Sequence, residues 1–460
     1  MRKKNKKKSR KSRNEGLRVI RPNVAGIDLG SREHYVCCPS KDGLSSIRHF
    51  GTTTPELNEL ADWLASEGVE SVAMESTSVY WIPIYELLEK RGFEVLLVNA
   101  RALSSVPGRK TDVLDCEWIQ RLHSCGLLNG SFRPGEAICR WRSLVREKNM
   151  MEDRRADWIR RMQKSLDQMN VQVHHAVSDI SGLTGMSILR AIVDGERDPQ
   201  ELAKLRDPRC RKSEEEIAKH LTGNWRDEHL FVLRQNLAMY DQISSQLDEY
   251  KAEILKVMAE LQPPGASEVE VPEIGNENKR KNIRKRGQEP LRVSLYRLSG
   301  VDITGLSGIG VETTEVILSE LGTDLSMFPT EKHFVSYINL SPKLAISGGK
   351  PIKGKRCGTA PSRIGNALRI AAVTLRNTDT ALGAEYRRIS RRKGASIAVF
   401  AMARKLAKLI YRILRWGHAY VDEGAGAYEE RFKANRLRAC QETAKQFGYK
   451  LLPMDQEAAC

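Results

Sequence analysis

Two kinds of hydrophobic pattern divide the chain. Up to about residue 135, short apolar runs such as NVAGIDLG and FEVLLVNA are separated by stretches whose apolar residues recur every three to four positions. The runs predict buried strands and the spaced stretches predict amphipathic helices. In TPELNELADWLASEG, for example, Leu57, Leu60 and Leu64 share one helical face, and Gly68 ends the helix.

The order of these elements predicts a fold class. NVAGIDLG, HYVCCPS and SSIRHFGTT form three antiparallel strands, with KDG as a turn, and then helix, strand, helix, strand and helix follow. This is the order expected of a ribonuclease-H-like α/β domain, which we place at residues 18–160. Its last helix lies in GRKTDVLDCEWIQ and runs toward Cys125.

Residues 161–262 have a charged, helical pattern, predicted to be a coiled-coil connection. Within them an apolar stripe, here called the 230–261 stripe, predicts a helix with a second helix packed on it. Its members are Leu230, Leu233, Leu237, Tyr240, Leu247, Ile254, Met258 and Leu261. We predict that the stripe pairs protomers in a short coiled coil; an ordinary amphipathic helix on its own core would have the same spacing.

The remaining segments are distinguished by composition. Residues 263–290 combine two adjacent prolines with clustered charge and predict a linker or exposed loop. Residues 291–420 return to a folded, mostly α-helical pattern. We predict a disordered basic tail at 1–17 and a polar C-terminal tail at 421–460.

Charge favours a polyanionic partner. The chain of 460 residues has 75 Lys and Arg against 58 acids, and nine of its first 13 residues are basic. Such patches suit nucleic-acid phosphates, although a merely solvated tail has the same composition. The nine cysteines form no CxxC pair, and no apolar run reaches the ~18 residues of a membrane span. We therefore expect reduced thiols and a cytoplasmic protein, without a secretory signal.

Four acids stand out because they interrupt apolar surroundings. Asp28 and Glu75 each lie at the end of a predicted strand, and parallel neighbours would bring them close; Asp112 and Asp115 are three apart on a helix and share a face. Converging carboxylates repel one another unless cations neutralise them. Hard Mg²⁺ takes carboxylate and phosphate oxygens, so the four acids predict a two-metal phosphodiester site.

Each acid also has a purely structural interpretation. Asp28 could cap a turn before Gly30, Glu75 could start a helix in ESTS, and Asp112 could be the N-cap of its own helix. Taken singly these interpretations are simpler; taken together, in a basic protein, the four acids favour the metal site.

The region after residue 291 holds two more candidate motifs. GLSGIG, at 305–310, is similar to the turn of a helix-hairpin-helix, where backbone N–H groups approach a phosphate, and a simple structural turn explains it equally well. Further on, Ser347 precedes two glycines among many cations and is a candidate nucleophile. A glycine-rich loop whose serine only donates to a DNA phosphate is the alternative. The nearest cations are Lys343, Lys350, Lys353, Lys355 and Arg356.

These motifs together resemble a known family. GIDLGSREH, VAMESTSVYWIPIYELLEKRGFEVLLVNA and VPGRKTDVLDCEWIQRLHSCGLLNGSFRP are similar to the DEDD transposases of the insertion-sequence 110 family. LSGIGVETTEVILSELG, FPTEKHFVSYINLSP, SGGK and IGNALR resemble the C-terminal domain of the same family. The resemblance covers roughly residues 20–160 and 295–385, in the family's order.

The resemblance implies a function and a set of site residues. It implies a resolvase-like N-terminal domain in a bacterial, nucleoid-associated DNA recombinase. The implied metal ligands for Mg²⁺ (or Mn²⁺) are Asp28, Glu75, Asp112 and Asp115. It further implies that Ser347 attacks a DNA phosphate and forms a covalent phosphoserine. A non-coding bridge RNA as guide, donor and target DNA, and a dimer or tetramer with composite sites are the implied partners. The five cations near Ser347 would then steer the DNA backbone.

The sequence departs from the family pattern at two places, and two other functions are compatible with its residues. Ser78 stands where the family usually has Gly after EST, and APSRIGN stands where relatives tend to show a run like ISKRGN. Ser341 is the second candidate for the nucleophile. A Holliday-junction-type hydrolytic nuclease, in which water attacks, and a non-catalytic nucleic-acid-binding protein are the rival interpretations.

Overall fold

The computed structural model describes residues 18–39, 45–76, 78–99, 112–341, 346–347, 350–351, 362–417 and 423–451. For residues 112–114 and for 346, 347, 350 and 351 the description is of the backbone. The chain divides into two compact units, one through Arg133 and one from Pro134. The boundary between the units lies before the predicted domain end at residue 160. Residue 160 lies inside the long helix Glu136–Gln168.

A five-stranded mixed sheet forms the first unit, in the order β3-β2-β1-β4-β5. β1, β2 and β3 are antiparallel, whereas β4 and β5 run parallel to β1. The predicted strands and helices are confirmed, and the KDG turn lies outside the described residues. The elements are β1 Val24–Leu29, β2 Glu33–Pro39, β3 Ser45–Gly51, α1 Thr54–Ser66, β4 Ser71–Glu75, α2 Trp81–Lys90, β5 Glu94–Val98 and α3 Asp112–Ser124.

Helices cover both faces of this sheet. Ile27 and Met74 point to the face on which Leu60 of α1 and Ile84 of α2 are fully buried. Because side chains alternate along a strand, the neighbouring residues point to the other face, where Ala73 packs against α3. The same alternation separates the adjacent cysteines of β2.

Burial makes those cysteines poor nucleophiles. Cys38 lies in the core beneath α1 and α2. Removal from water raises the pKa of Cys37 and of Cys38 to about 12 in each case. Both thiols are therefore protonated at neutral pH, whereas a reactive cysteine is a thiolate.

The second unit is mostly helical, as predicted for the C-terminal part. Across the described residues, no helix combines the length and apolarity needed to cross a membrane. The helices are α4 Glu136–Gln168, α5 Val173–Ala176, α6 Leu183–Asp194, α7 Pro199–Lys204, α8 Glu214–Leu221, α9 Asp227–Leu261, α10 Glu277–Lys285, α11 Glu289–Ser299, α12 Val311–Leu321, α13 Glu331–Tyr337, α14 Arg363–Thr374, α15 Ala381–Lys393, α16 Ala395–Trp416 and α17 Gly424–Gln446.

The 230–261 stripe packs inside its own chain. Arg140 at the start of α4 bonds Glu260 near the end of α9 at 2.7 Å, and Asn236 approaches Ser165 at 3.5 Å. The two long helices are therefore antiparallel neighbours. Every stripe residue is buried or half-buried, so the stripe packs at least in part within its own chain, and pairing of protomers through it stays a prediction. Periodicity alone could not distinguish a partner helix of the same chain from one of another chain.

The segment predicted as a charged linker contains a packed helix. Within α10, the ammonium group of Lys279 donates to the carbonyls of Thr304, Leu306 (3.2 Å) and Ile309 (2.7 Å). Burial lowers the pKa of Lys279 to about 8, so the ammonium form still dominates at neutral pH. This segment therefore differs from a free linker, because its lysine holds the turn before α12.

We expect Lys279→Met to destabilise the protein by about 1–3 kcal/mol, because carbonyls of the turn lose their donor. Lys281→Met is the matched control on the same helix, since Lys281 is exposed and, among the described residues, pairs with Glu277 one turn earlier. It should change stability by less than about 0.5 kcal/mol. Urea unfolding followed by circular dichroism measures both; equal effects would show that the lysine contacts contribute nothing.

Candidate active site

Asp28 and Glu75 lie side by side at the sheet edge. β1 and β4 are parallel, and Ile27 pairs with Met74. Asp28 and Glu75 follow these two residues directly, at the carboxyl ends of neighbouring central strands. Both are half-buried. The predicted convergence of strand-end acids is thus present in the backbone.

Both acids point to the sheet face that α3 covers. Ile27 and Met74 belong to the core on the α1 and α2 side, so the residues after them face the other way. Ala73, two residues before Glu75, contacts Ile119 of α3. The helix with the other two candidate acids therefore lies on the same face as the first two.

Close packing at Gly26 fixes the start of α3 near Asp28. A β-carbon built on Gly26 would lie 2.3 Å from Gln120 N and 2.5 Å from Cys116 O. Cys116 is buried, which raises the pKa of its thiol to about 12, and the negative charge of Asp28 adds to that shift. Asp115, the residue before Cys116, is half-buried at the first turn of α3.

The far end of α3 is also anchored to the sheet. The ring of His123 makes a buried hydrogen bond of 2.8 Å with Ser71 Oγ, at the first residue of β4. The backbone N–H groups of Ile20 and Arg21 donate to the carbonyl of Ser124 at 2.8 and 3.0 Å. Contacts at both ends thus hold α3 in register with β1 and β4.

The structure describes the predicted acids only in part, and their role as metal ligands stays a prediction. Among the described side chains, no three His, Cys, Asp or Glu residues lie close enough to hold a metal ion. Asp112 is the first residue of α3, and its side chain is outside the described set. The acidic side chains at this edge of the sheet are carboxylates, which suit hard Mg²⁺ by chemical type.

One structural interpretation of the acids fails. Glu75 is the last residue of β4 and α2 begins six residues later at Trp81, so Glu75 does not start a helix. Asp28 lies within β1, and the turn at Gly30 has a backbone hydrogen bond from its N–H to the carbonyl of Glu33 at 3.0 Å.

The backbone conformation of Ser78 accounts for the glycine that the family usually has at this position. Its φ of 49° is in the left-handed region, which a side chain disfavours and glycine adopts freely. A glycine at this position, three residues after Glu75, meets a backbone requirement that this chain satisfies with serine. The carbonyl of Ser78 accepts a hydrogen bond from Trp81 Nε1 at 3.1 Å, which helps hold the strained turn.

Ser347 lies in a short hairpin. The backbone of β6, Ile346–Ser347, pairs with β7, Lys350–Pro351, with Ser347 opposite Lys350. In the sequence only Gly348 and Gly349 separate the two strands, the length of a tight hairpin connection. Lys343, Lys353, Lys355 and Arg356 lie outside the described residues.

The two ends of the segment that bears the serine are tied together. Ser362 Oγ, at the start of α14, donates to the carbonyl of Ile338 at 2.8 Å and accepts from Gly365 N at 2.9 Å. A β-carbon on Gly365 would lie 2.5 Å from the carbonyl of Ile338, so only glycine permits this approach. The residues that flank the serine segment on its two sides are therefore held together at one place in the helical unit.

A cluster of arginines next to this place was not predicted. Arg146 makes two bonds of 2.7 and 2.6 Å to Glu320, while Arg142 and Arg363 each lie 3.8 Å from the same carboxylate. Arg142 is mostly buried, and its Nε and Nη2 make no hydrogen bond to any described residue. One acid among three cations leaves an excess of positive charge that suits a phosphate. In the sequence, the i, i+4 spacing of Arg142 and Arg146 could have indicated two cations on one helical face.

GLSGIG forms the turn before α12. Gly308 has a φ of 85°, and a β-carbon there would lie 3.0 Å from the carbonyl of Ala371. Its glycines therefore meet both a conformational and a packing need, as the structural interpretation expects. Phosphate binding by this turn stays a prediction.

Comparison with known proteins identifies the family. A model of transposases, the DEDD transposases of IS110, matches residues 25–171. A second model, described as "Transposase IS116/IS110/IS902 family", matches residues 300–387. A search of curated proteins found no match. The chain belongs to the IS110 family of transposases, which makes DNA its substrate and agrees with the resemblance found in its motifs.

We expect Gly26→Ala to destabilise the first unit by about 1–3 kcal/mol, because the added methyl group pushes α3 away from β1. Transposition activity should fall with it, since Asp112 and Asp115 move relative to Asp28. Gly135→Ala is the control, as a β-carbon there meets nothing within 4 Å. Thermal unfolding and a transposition assay measure both effects; parental behaviour of the Gly26 variant would show that the close packing is not needed.

Proposed function

We propose that this transposase is a metal-dependent, serine-using DNA recombinase with a ribonuclease-H-like catalytic domain. The observation that carries the proposal is the position of Asp28 and Glu75 on adjacent parallel strands, facing the helix that begins with Asp112. The mixed sheet, with three antiparallel strands followed by two parallel ones, supports the ribonuclease-H-like assignment.

Asp28, Glu75, Asp112 and Asp115 are the residues that would hold Mg²⁺ or Mn²⁺. When bound, the metal supplies positive charge that polarises the scissile phosphate and stabilises the pentacovalent transition state. The carboxylates are on strand ends and a helix rather than on loose loops. Their positions are therefore set before DNA binds, which limits the entropy lost in orienting the phosphate.

Ser347 is the proposed nucleophile. Its Oγ forms a bond to phosphorus while one ester P–O bond of the DNA breaks, and the serine proton leaves as the released DNA oxygen becomes a hydroxyl. The reverse reaction with another strand's hydroxyl restores the serine and joins new ends. The hairpin register opposite Lys350 supports the assignment, because it puts a cationic residue directly across from the serine.

The acids are in one compact unit and the serine in the other. We propose that two or more copies assemble so that the acids of one copy meet the serine of another. A non-coding RNA that pairs with donor and target DNA is the proposed source of sequence specificity. The net charge of +17 supports binding of more than one polyanion.

Asp115→Asn should reduce metal-dependent strand transfer at least about 100-fold, since it removes a proposed metal ligand without changing side-chain size. Salt-dependent DNA binding should persist, because cations dominate that affinity. Glu117→Gln removes the same charge two positions along α3 and should be nearly silent. Unchanged strand transfer in the Asp115 variant would favour the non-catalytic rival.

Ser347→Ala should abolish a covalent protein–DNA adduct that denaturing gels detect with the parent protein and junction DNA in Mg²⁺. Ser341→Ala, a few residues earlier, is the matched control and should leave the adduct intact. Loss of the adduct only in the Ser341 variant would transfer the role to that serine. DNA cleavage by Ser347→Ala at the parental rate would support the hydrolytic rival.

A further inference from the structure

A basic groove lies between α15, in the predicted helical region 291–420, and α17, in the segment predicted to be a polar C-terminal tail. Its volume is about 900 Å³. Arg388, Arg391 and Arg392 of α15 line one side, and Lys433 and Arg436 of α17 line the other, together with one acid, Glu429. The groove lies almost entirely beyond residue 387, where the second family match ends.

Most of these cations lack an acidic partner. Within the described part of the chain, Arg391, Arg392, Lys433 and Arg436 have no carboxylate within 4.0 Å, and all four are exposed. Cations at the end of α15 are partly explained by the helix dipole, which favours positive charge at a C-terminus. Lys433 and Arg436 lie inside α17, so the dipole does not account for them. Like charges on facing helices repel unless an anion lies between them.

Aromatic rings accompany the cations. The guanidinium of Arg388 lies 4.5 Å from the ring centroid of Phe432 and donates to the hydroxyl of Tyr428 at 3.0 Å. The rings of Tyr428 and Phe432 are nearly parallel, at 12°, with centroids 6.5 Å apart. Tyr428 is buried, whereas Phe432 is half-buried and lines the groove. An acidic peptide would need the cations alone; a flat ring beside them suits a nucleobase.

Size distinguishes a single strand from a duplex. A groove of this volume is near the upper limit of sites that hold a drug-sized molecule, so it has room for about two or three nucleotides. A duplex, whose major groove alone is about 12 Å wide, would contact only the rim.

We propose that this groove binds a single-stranded polynucleotide, with phosphates between the cations of the two helices and a base against Phe432. The site is separate from the proposed acids and serine, so it does not depend on their roles. RNA and DNA single strands share this chemistry, and the experiment compares the two.

The test measures binding of fluorescein-labelled U12 RNA, dT12 DNA and a 12-base-pair duplex by fluorescence anisotropy to the full chain. The triple variant Arg391→Gln/Arg392→Gln/Lys433→Gln should weaken U12 or dT12 binding at least about 10-fold. It should also lower the salt slope by about 2, because each single-strand phosphate contact contributes about 0.7. Phe432→Leu, which keeps bulk but loses the flat ring, should weaken the same strand about 5-fold.

A triple variant elsewhere on the chain controls for total charge. Arg154→Gln/Lys164→Gln/Lys219→Gln removes three exposed cations far from the groove in sequence and should change affinity by less than about 2-fold. A strand containing 5-iodouridine should cross-link, on irradiation, to a peptide containing Phe432. Equal losses in both triple variants, an equal loss for the duplex, or cross-links confined to other peptides would each overturn the proposal.

Discussion

The approach of α3 to β1 at Gly26 is the contact on which the candidate active site depends. A helix backbone lies where the side chain of any other residue would be, and the helix is anchored again at Ser71 and Ser124. The sheet supplies Asp28 and Glu75, and the helix supplies Asp112 and Asp115. Protein interiors are close-packed, so a shift of α3 by the width of a methyl group would be transmitted to the acids at its first turn.

The elements of the first unit could be predicted because their patterns are local. The continuous apolar run in VAGIDL requires a strand buried on both faces, and the 3–4 spacing of Leu57, Leu60 and Leu64 requires one buried helical face; the structure has both. The position of Asp28 beside Glu75 followed from one further assumption, that β1 and β4 are parallel neighbours. The packing of α3 next to these two acids depends on Gly26, which must lack a β-carbon. That requirement is visible only in the three-dimensional structure.

Other features were missed for identifiable reasons. The 230–261 stripe has one apolar face whether its partner is in the same chain or another, so its spacing could not show that α4 already covers it. Composition marked residues 263–290 as a linker, yet a single lysine, Lys279, packs that segment on the turn before α12. The groove of Arg388 and Phe432 joins residues over 40 positions apart, on two helices that α16 separates in the chain, and no local pattern reveals it.

The central claim is that carboxylates of β1, β4 and α3 share a divalent metal. Anomalous diffraction from crystals of the protein grown with DNA and Mn²⁺ tests this most directly. The account predicts manganese peaks about 2.1 Å from carboxylate oxygens of Asp28 and Glu75 and of at least one acid of α3. Manganese bound elsewhere, with these carboxylates occupied only by protein or water contacts, would contradict it.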